Sequence, residues 1–220
     1  MVLRLAFAVL GCTAAPAHAG LPRDEALAPY AVLARTPESR ALVAQARAVM
    51  ERHWDAQATP DTGAVVVWPG APVAVYVSLV DGRTTRSCVG RAGTSFATLS
   101  GAIQALALEA LASDRRRAPV RYEELERLRV VISFGGEGEA ITDPMLVDPA
   151  REGFSIATPR GMVAFLPGEV RTVSWALREA RRIGVLEGAA AIATYRRFPV
   201  VVLAEPKARA AAREGLDDAR

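Results

Sequence analysis

Apolar residues recur at helical spacing through Leu42, Val43, Ala46, Val49 and Met50, and the segment opens with Thr36, Pro37 and Glu38. Positions three and four apart share one helix face. Thr36 suits an N-cap, Pro37 the first helical position and Glu38 the positive helix end. The stretch 21–56 therefore reads helical, with His53 a partly buried histidine closing the apolar stripe beside Trp54. After a loop with Pro60, Asp61 and Gly63 the pattern turns β-branched. Residues 65–68 read as a short strand, Pro69-Gly70 as a turn, and 73–80 as a strand that Asp81-Gly82 returns into 83–89. Gly90 and Gly93 break that strand, and Thr94 or Ser95 caps a helix running to Ser113, with Phe96, Leu99, Ile103, Leu106 and Ala110 on one face.

Residues 128–134 form the next expected strand, followed by an acidic, glycine-rich turn over 135–139. Residues 154–156 and 162–166 pair as a hairpin across Thr158-Pro159-Arg160-Gly161. A helix over 172–183 turns Val173, Leu177, Ala180 and Ile183 inward and stops at Gly184. Residues 198–203 read as a last strand. Helices and hairpins alternate irregularly, which fits an α+β fold with a mixed or antiparallel sheet and packed helices rather than a doubly wound parallel sheet.

The first residues change the picture of what the mature chain contains. Arg4 precedes an apolar run to Ala15, then Pro16 and Ala17-His18-Ala19 before Gly20. A basic start, a short apolar core and a small-x-small site mark a secretory signal, and the run is too short to span a bilayer. The expected organisation is a signal peptide over 1–19, a leader over 20–36, one domain over 37–205 and a flexible tail over 206–220, in an exported protein, periplasmic or secreted. Val9-Leu10-Gly11-Cys12 offers a second reading, a lipid-anchored form acylated on Cys12. No later stretch has the apolar length of a transmembrane segment. At 51% apolar residues the chain can bury a sizeable core, and a net charge of +3 is too small to argue for a nucleic-acid partner.

With Cys12 and His18 in the signal, Cys88 and His53 are the remaining cysteine and histidine, so neither an internal disulfide nor the usual sulfur–nitrogen zinc site can form. There is no EF-hand loop, Walker motif or Gly-x-Ser-x-Gly, and no metal or cofactor is expected. The candidate chemistry therefore gathers at Arg86-Ser87-Cys88-Val89-Gly90. Strand alternation puts Arg86 and Cys88 on one side and Ser87 and Val89 on the other. A guanidinium beside a thiol favours the nucleophilic thiolate, and backbone N–H groups at a helix start near Thr94 and Ser95 suit an anion. The same residues equally fit a buried structural cysteine at a tight corner made by Gly90.

This segment resembles the signature of the AMMECR-one domain family, Arg-Gly-Cys-Ile-Gly after a Phe-Val-Thr-Leu strand, here preceded by Tyr76-Val77-Ser78-Leu79. Asp114-Arg115-Arg116-Arg117-Ala118-Pro119 resembles the family's Asp-x-Arg-Phe-x-Pro, Glu124-Leu125 its Glu-Leu, and Val130-Val131-Ile132-Ser133 its Val-x-Val-Ser strand. Leu166-Pro167 with Val170 is similar to its Leu-Pro-x-Val. The chain departs from the pattern at Ser87, at Arg117 and at Glu152-Gly153, where members carry His-Gly. The resemblance implies two unequal lobes in one α+β domain and no established activity. Members resemble partners of Memo-type proteins and of a radical SAM enzyme, which are intracellular systems.

Two functional readings follow. In the first the chain is a binding module, its pocket formed by Arg86, Ser87, Gly90, Asp114, Arg116 and Glu152 around Cys88, holding a small anionic ligand or a peptide or docking a protein partner. In the second Cys88 is the catalytic nucleophile of a thiol-dependent enzyme, for which Glu152 or His53 would have to act as base. The departures from the signature favour binding. Arg171, Trp175 and Glu169 read either as groove-lining or as helix-entry packing residues, and the sequence leaves oligomeric state open.

Overall fold

The computed structural model describes residues 25–55, 64–82, 84–112, 114, 117–187 and 192–206. The expected signal over 1–19 and the tail from 207 onward lie outside the described residues. The first helical stretch is two helices, α1 (Ala28–Leu33) and α2 (Pro37–Arg52), rather than one run. The ring of Pro37 disfavours helical backbone at the residue before it, and Thr36 is accordingly extended at φ −98°, ψ 160°. Its hydroxyl donates back to the Leu33 carbonyl at 2.9 Å and does not cap α2. At the other end of α2, His53 is exposed rather than partly buried, its ring edge-on to Trp54.

The remaining elements are β1 (Ala74–Asp81), β2 (Thr84–Arg91), α3 (Leu99–Ala112), α4 (Tyr122–Leu125), β3 (Arg129–Gly135), β4 (Glu139–Ile141), β5 (Gly153–Thr158), β6 (Gly161–Phe165), α5 (Val173–Arg182), β7 (Thr194–Phe198) and β8 (Val200–Ala204). They build two antiparallel four-stranded sheets, ordered β2-β1-β3-β8 and β4-β7-β5-β6, an α+β arrangement in one compact domain. In the larger lobe Val75, Val77, Leu79, Val130, Ile132 and Phe134 face Leu42, Met50, Leu99, Ile103 and Leu106 of α2 and α3. In the smaller lobe Phe154, Ile156, Val163 and Phe165 of β5 and β6 pack on Val173, Ala176 and Ala180 of α5.

Three expectations change for physical reasons. Residues 64–68 form no strand. Val66 instead exchanges bonds with Ser100 in the first turn of α3, donating to its Oγ at 2.9 Å and accepting its N–H at 3.1 Å. The helix expected from Thr94 or Ser95 begins at Leu99, because Gly93–Ser95 closes as one 3-10 turn and Thr98 is the residue that receives the Gly101 N–H, at 3.1 Å. The expected strand over 198–203 is two strands in different sheets, divided at Pro199, which has no N–H to give a ladder.

That division joins the lobes. β3 pairs with β8 in one sheet and β4 with β7 in the other, so an antiparallel ribbon runs through both. At the crossing, Gly136 N–H donates to the Pro199 carbonyl at 3.0 Å. The Phe198 ring stacks on Tyr76 with centroids 6.2 Å apart and 11° between planes. Both rings lie where a side chain would otherwise stand. A Cβ on Gly90 would overlap the Tyr76 ring, and one on Gly153 would overlap Phe198.

Gly90→Ala and Gly153→Ala are each expected to lower the unfolding free energy by about 1–3 kcal/mol, the usual range for overpacking. Urea denaturation checks this. Gly153→Ala should cost less when combined with Phe198→Leu than alone, since the shorter side chain removes the overlap.

Candidate functional site at the edge of the larger sheet

β2 is an edge strand, and edge strands present unpaired backbone groups unless something covers them. Here the chain leaving α3 does so. The Cys88 N–H donates to Asp114 Oδ2 at 2.8 Å, and the Ser87 hydroxyl donates to the Ala110 carbonyl at 2.5 Å. Arg91 pairs with Glu109 on the same flank. Ser87 and Val89 are buried against the helix layer, while Arg86, Cys88 and Gly90 are half-buried on the alternate positions.

Arg86 sits at a bulge. Leu79 is opposite Ser87 and Val80 opposite Thr85, which leaves Arg86 as the extra residue of β2. Bulges re-aim a side chain. The Arg86 guanidinium reaches the α4 region, giving Nε to Glu124 Oε1 at 3.0 Å and Nη2 to Oε2 at 2.9 Å. It also donates to the Ala118 and Pro119 carbonyls at 3.0 and 3.1 Å. Planar two-point pairing of this kind is the strong form of a charge-assisted hydrogen bond. Glu124 in turn accepts the Arg121 N–H at 2.9 Å, which ties its carboxylate back to the residue that opens α4. The hydrogen bond from Arg86, followed by that from the Arg121 backbone, holds the Glu124 carboxyl down at about 2.

The thiol's other neighbours come from β1. Ser78 is the register partner of Cys88, and Tyr76 that of Gly90. The Tyr76 phenol is pushed up to about 12, first by burial and then by the charge of Cys88. Cys88 itself is half-buried.

Of the residues singled out from sequence, the structure brings Arg86, Ser87, Cys88, Gly90 and Asp114 to one edge. Arg116 lies outside the described residues. Glu152 lies in the smaller lobe just before β5, where its carboxylate accepts the Asp148 N–H at 3.0 Å and faces Arg197 at 3.6 Å. His53 follows the end of α2, whose Leu42, Val43, Ala46 and Met50 pack on the helix-covered face of the sheet, whereas alternation places the Cys88 side chain on the other. Sequence reasoning missed Glu124, Ser78 and Tyr76 as site neighbours. The Asp81-Gly82 turn signalled the hairpin, and so that β1 residues flank β2, but not their register: counted back from the Asp81–Thr84 pair, Ser78 would face Ser87 without the bulge. The bulge that turns Arg86 toward Glu124 had no such signal. Among the described residues no group of three or more His, Cys, Asp or Glu is placed to hold a metal ion, and no helix is long and apolar enough to cross a membrane.

Fold and site together define an α+β protein of two antiparallel lobes joined by a shared ribbon, with a cysteine on the sealed edge of the larger sheet. The chain belongs to the AMMECR1 family, whose model matches residues 43–196. It is similar to the crystal structure of the uncharacterized protein PH0010 from Pyrococcus horikoshii. The TM-score is 0.54 at 21% identity, over 74% of this chain and 89% of that one, a likeness of fold. No curated protein matches it.

Arg86→Ala leaves Glu124 without its main partner. It is expected to cost about 2–3 kcal/mol, below the ~3–5 of a fully buried pair because Arg86 keeps 19% of its side chain exposed. The pH dependence has a definite sign. The Glu124 carboxyl is lowered on folding from the ordinary 4.5 to about 2, so its contribution is complete above about pH 5 and fades as pH falls toward 2. Urea titrations across that window should show a shallower acid loss for Glu124→Gln than for the wild type.

Proposed function

We propose that the protein is a binding module that docks a peptide or protein segment on the Cys88 surface of β2, and that Cys88 serves there as a contact rather than a nucleophile. One observation carries this reading. The polar groups that could activate a thiol are engaged in holding the fold: Arg86 by Glu124 and two carbonyls, Ser87 by Ala110, and Asp114 by the Cys88 N–H itself. A thiol enzyme needs a base within hydrogen-bond reach. His53 is exposed past the end of α2, a helix packed on the face of the sheet opposite the thiol, and the Glu152 carboxylate is engaged with Asp148 and Arg197 in the other lobe. The engagement of Arg86 also favours a peptide or protein segment over a small anion, since its donors are directed at Glu124 and the 118–119 backbone. Export by cleavage after Ala19 belongs to the same proposal, supported by the signal pattern in the sequence.

The rate of Cys88 alkylation against pH tests the central point. The expected profile rises with an apparent pKa at or above about 8.5, the ordinary thiol value. A thiol that reacts fully below about pH 7, in a protein whose activity on any acyl or phosphoryl ester disappears in Cys88→Ser, would restore the nucleophile. N-terminal sequencing of the protein from its producing cells tests the export reading, which a chain still beginning at Met1 would overturn.

A further inference from the structure

We propose that the exposed face of α5 is a second docking surface, built for an acidic protein segment. The smaller lobe takes up the apolar side of this helix, with Val173, Ala176 and Ala180 buried in its core and Leu177 packed against it. The outward side carries Trp175, Arg178, Arg181 and Arg182, with Arg171 just before the helix. Glu179 is the one carboxylate on α5, and it is buried and bound to Arg182 through two hydrogen bonds of 2.8 and 2.6 Å. The ion pairs of this lobe among the described residues join Arg160 to Glu187, Arg182 to Glu179 and Arg197 to Glu139 and Glu152, and include none of Arg171, Arg178 and Arg181. The result is a row of cations with no acidic residue exposed on the same helix.

Apolar anchors stand beside it. The 3-10 turn Pro144–Leu146 contacts α5 and exposes Met145 and Leu146 at 57% and 53%. Trp175 shows 37% of its surface while leaning edge-on to Phe165, centroids 6.3 Å apart, which holds its ring in place. Trp, Met and Arg are the residue types enriched at protein interfaces, and arginine forks match carboxylates in planar two-point pairs. A bilayer surface fits less well. An interfacial helix lays its apolar face into lipid, and the apolar face of α5 is already taken by the core. The occupant these features select is a segment whose carboxylates meet the arginines while an apolar side chain rests on Trp175 and Met145.

The test uses the full chain and a fluorescein-labelled peptide of repeated Glu-Asp-Leu units, read by anisotropy. Binding should weaken with salt, and at least about tenfold in Arg178→Glu/Arg181→Glu. Replacing Leu by Gly in the peptide should weaken binding and abolish its sensitivity to Met145→Ser. Both arginines are exposed, so the thermal midpoint of the double variant should match the wild type. Arg178→Gln/Arg181→Gln serves as a second, charge-neutral variant. The proposal is overturned if the peptide does not bind at low salt, or if binding is indifferent to both double variants. It is also overturned if phosphatidylserine vesicles, and not the peptide, show the arginine-dependent binding. None of these outcomes touches the Cys88 surface, which lies in the other lobe.

Discussion

The stack of Phe198 on Tyr76 is the contact on which the joining of the lobes turns. Each lobe has its own apolar core, and a chain of this design could leave them as beads on a string. The ribbon prevents that, because β3–β4 and β7–β8 each run through both sheets and pair with each other on either side of Pro199. Where the ribbon changes sheet its backbone cannot keep a regular ladder, and the aromatic pair fills that break. The space for it comes from glycines in elements distant in sequence, Gly90 on β2 and Gly153 on β5. The last residue of the Arg-x-Cys-x-Gly signature is thus tied to the seating of Tyr76, which in turn stands beside Cys88.

A second constraint explains the arginine of that signature. The described residues between α3 and β3 have little regular structure beyond the single turn of α4, so their carbonyls need donors from elsewhere. Two arginines supply them. Arg86 reaches from β2 to the Ala118 and Pro119 carbonyls and to Glu124. Arg47, buried in α2, donates to the carbonyls of Leu125 and Leu128 and pairs with Glu205 at the end of β8. Removing one partner of such a pair leaves a charge or carbonyl without compensation in a poorly solvated place, which is where large losses arise. Asp114 works in the same connection by receiving the edge N–H of Cys88. The short motifs around Cys88 and Asp114, far apart in sequence, are one hydrogen-bonded unit in space.

How much of this the sequence disclosed follows from how local each feature is. The β1–β2 hairpin, the β5–β6 hairpin and α5 were readable, because turn residues, alternation and helical spacing are all written within a few positions. The α+β class followed from them. The split at Pro199 was less visible, since an apolar β-branched run on either side reads as one strand until the partners β3 and β7 are known. The start of α3 at Leu99 was hidden because Thr94, Ser95 and Thr98 are all acceptable caps, and the choice is made by residues 64–68 bonding to Ser100. At the site, alternation correctly sorted Ser87 from Cys88. It said nothing of the bulge that carries Arg86 away to Glu124, because a bulge depends on the register of two strands and not on one.

That one-residue bulge decides where the signature's arginine goes. Without it Arg86 would extend from the same face as Cys88 at ordinary strand spacing, close enough to favour a thiolate. With it, the guanidinium turns to a carboxylate that is itself held by the Arg121 backbone. The α5 arginines are the opposite case. Arg178 and Arg181 project from a regular helix whose single carboxylate, Glu179, is buried and taken by Arg182, which leaves the charge of these two facing solvent. Residue type alone does not separate these two kinds of arginine. What separates them is the local backbone: a bulge beside a polar connection that needs donors in one place, a solvent-facing helix in the other.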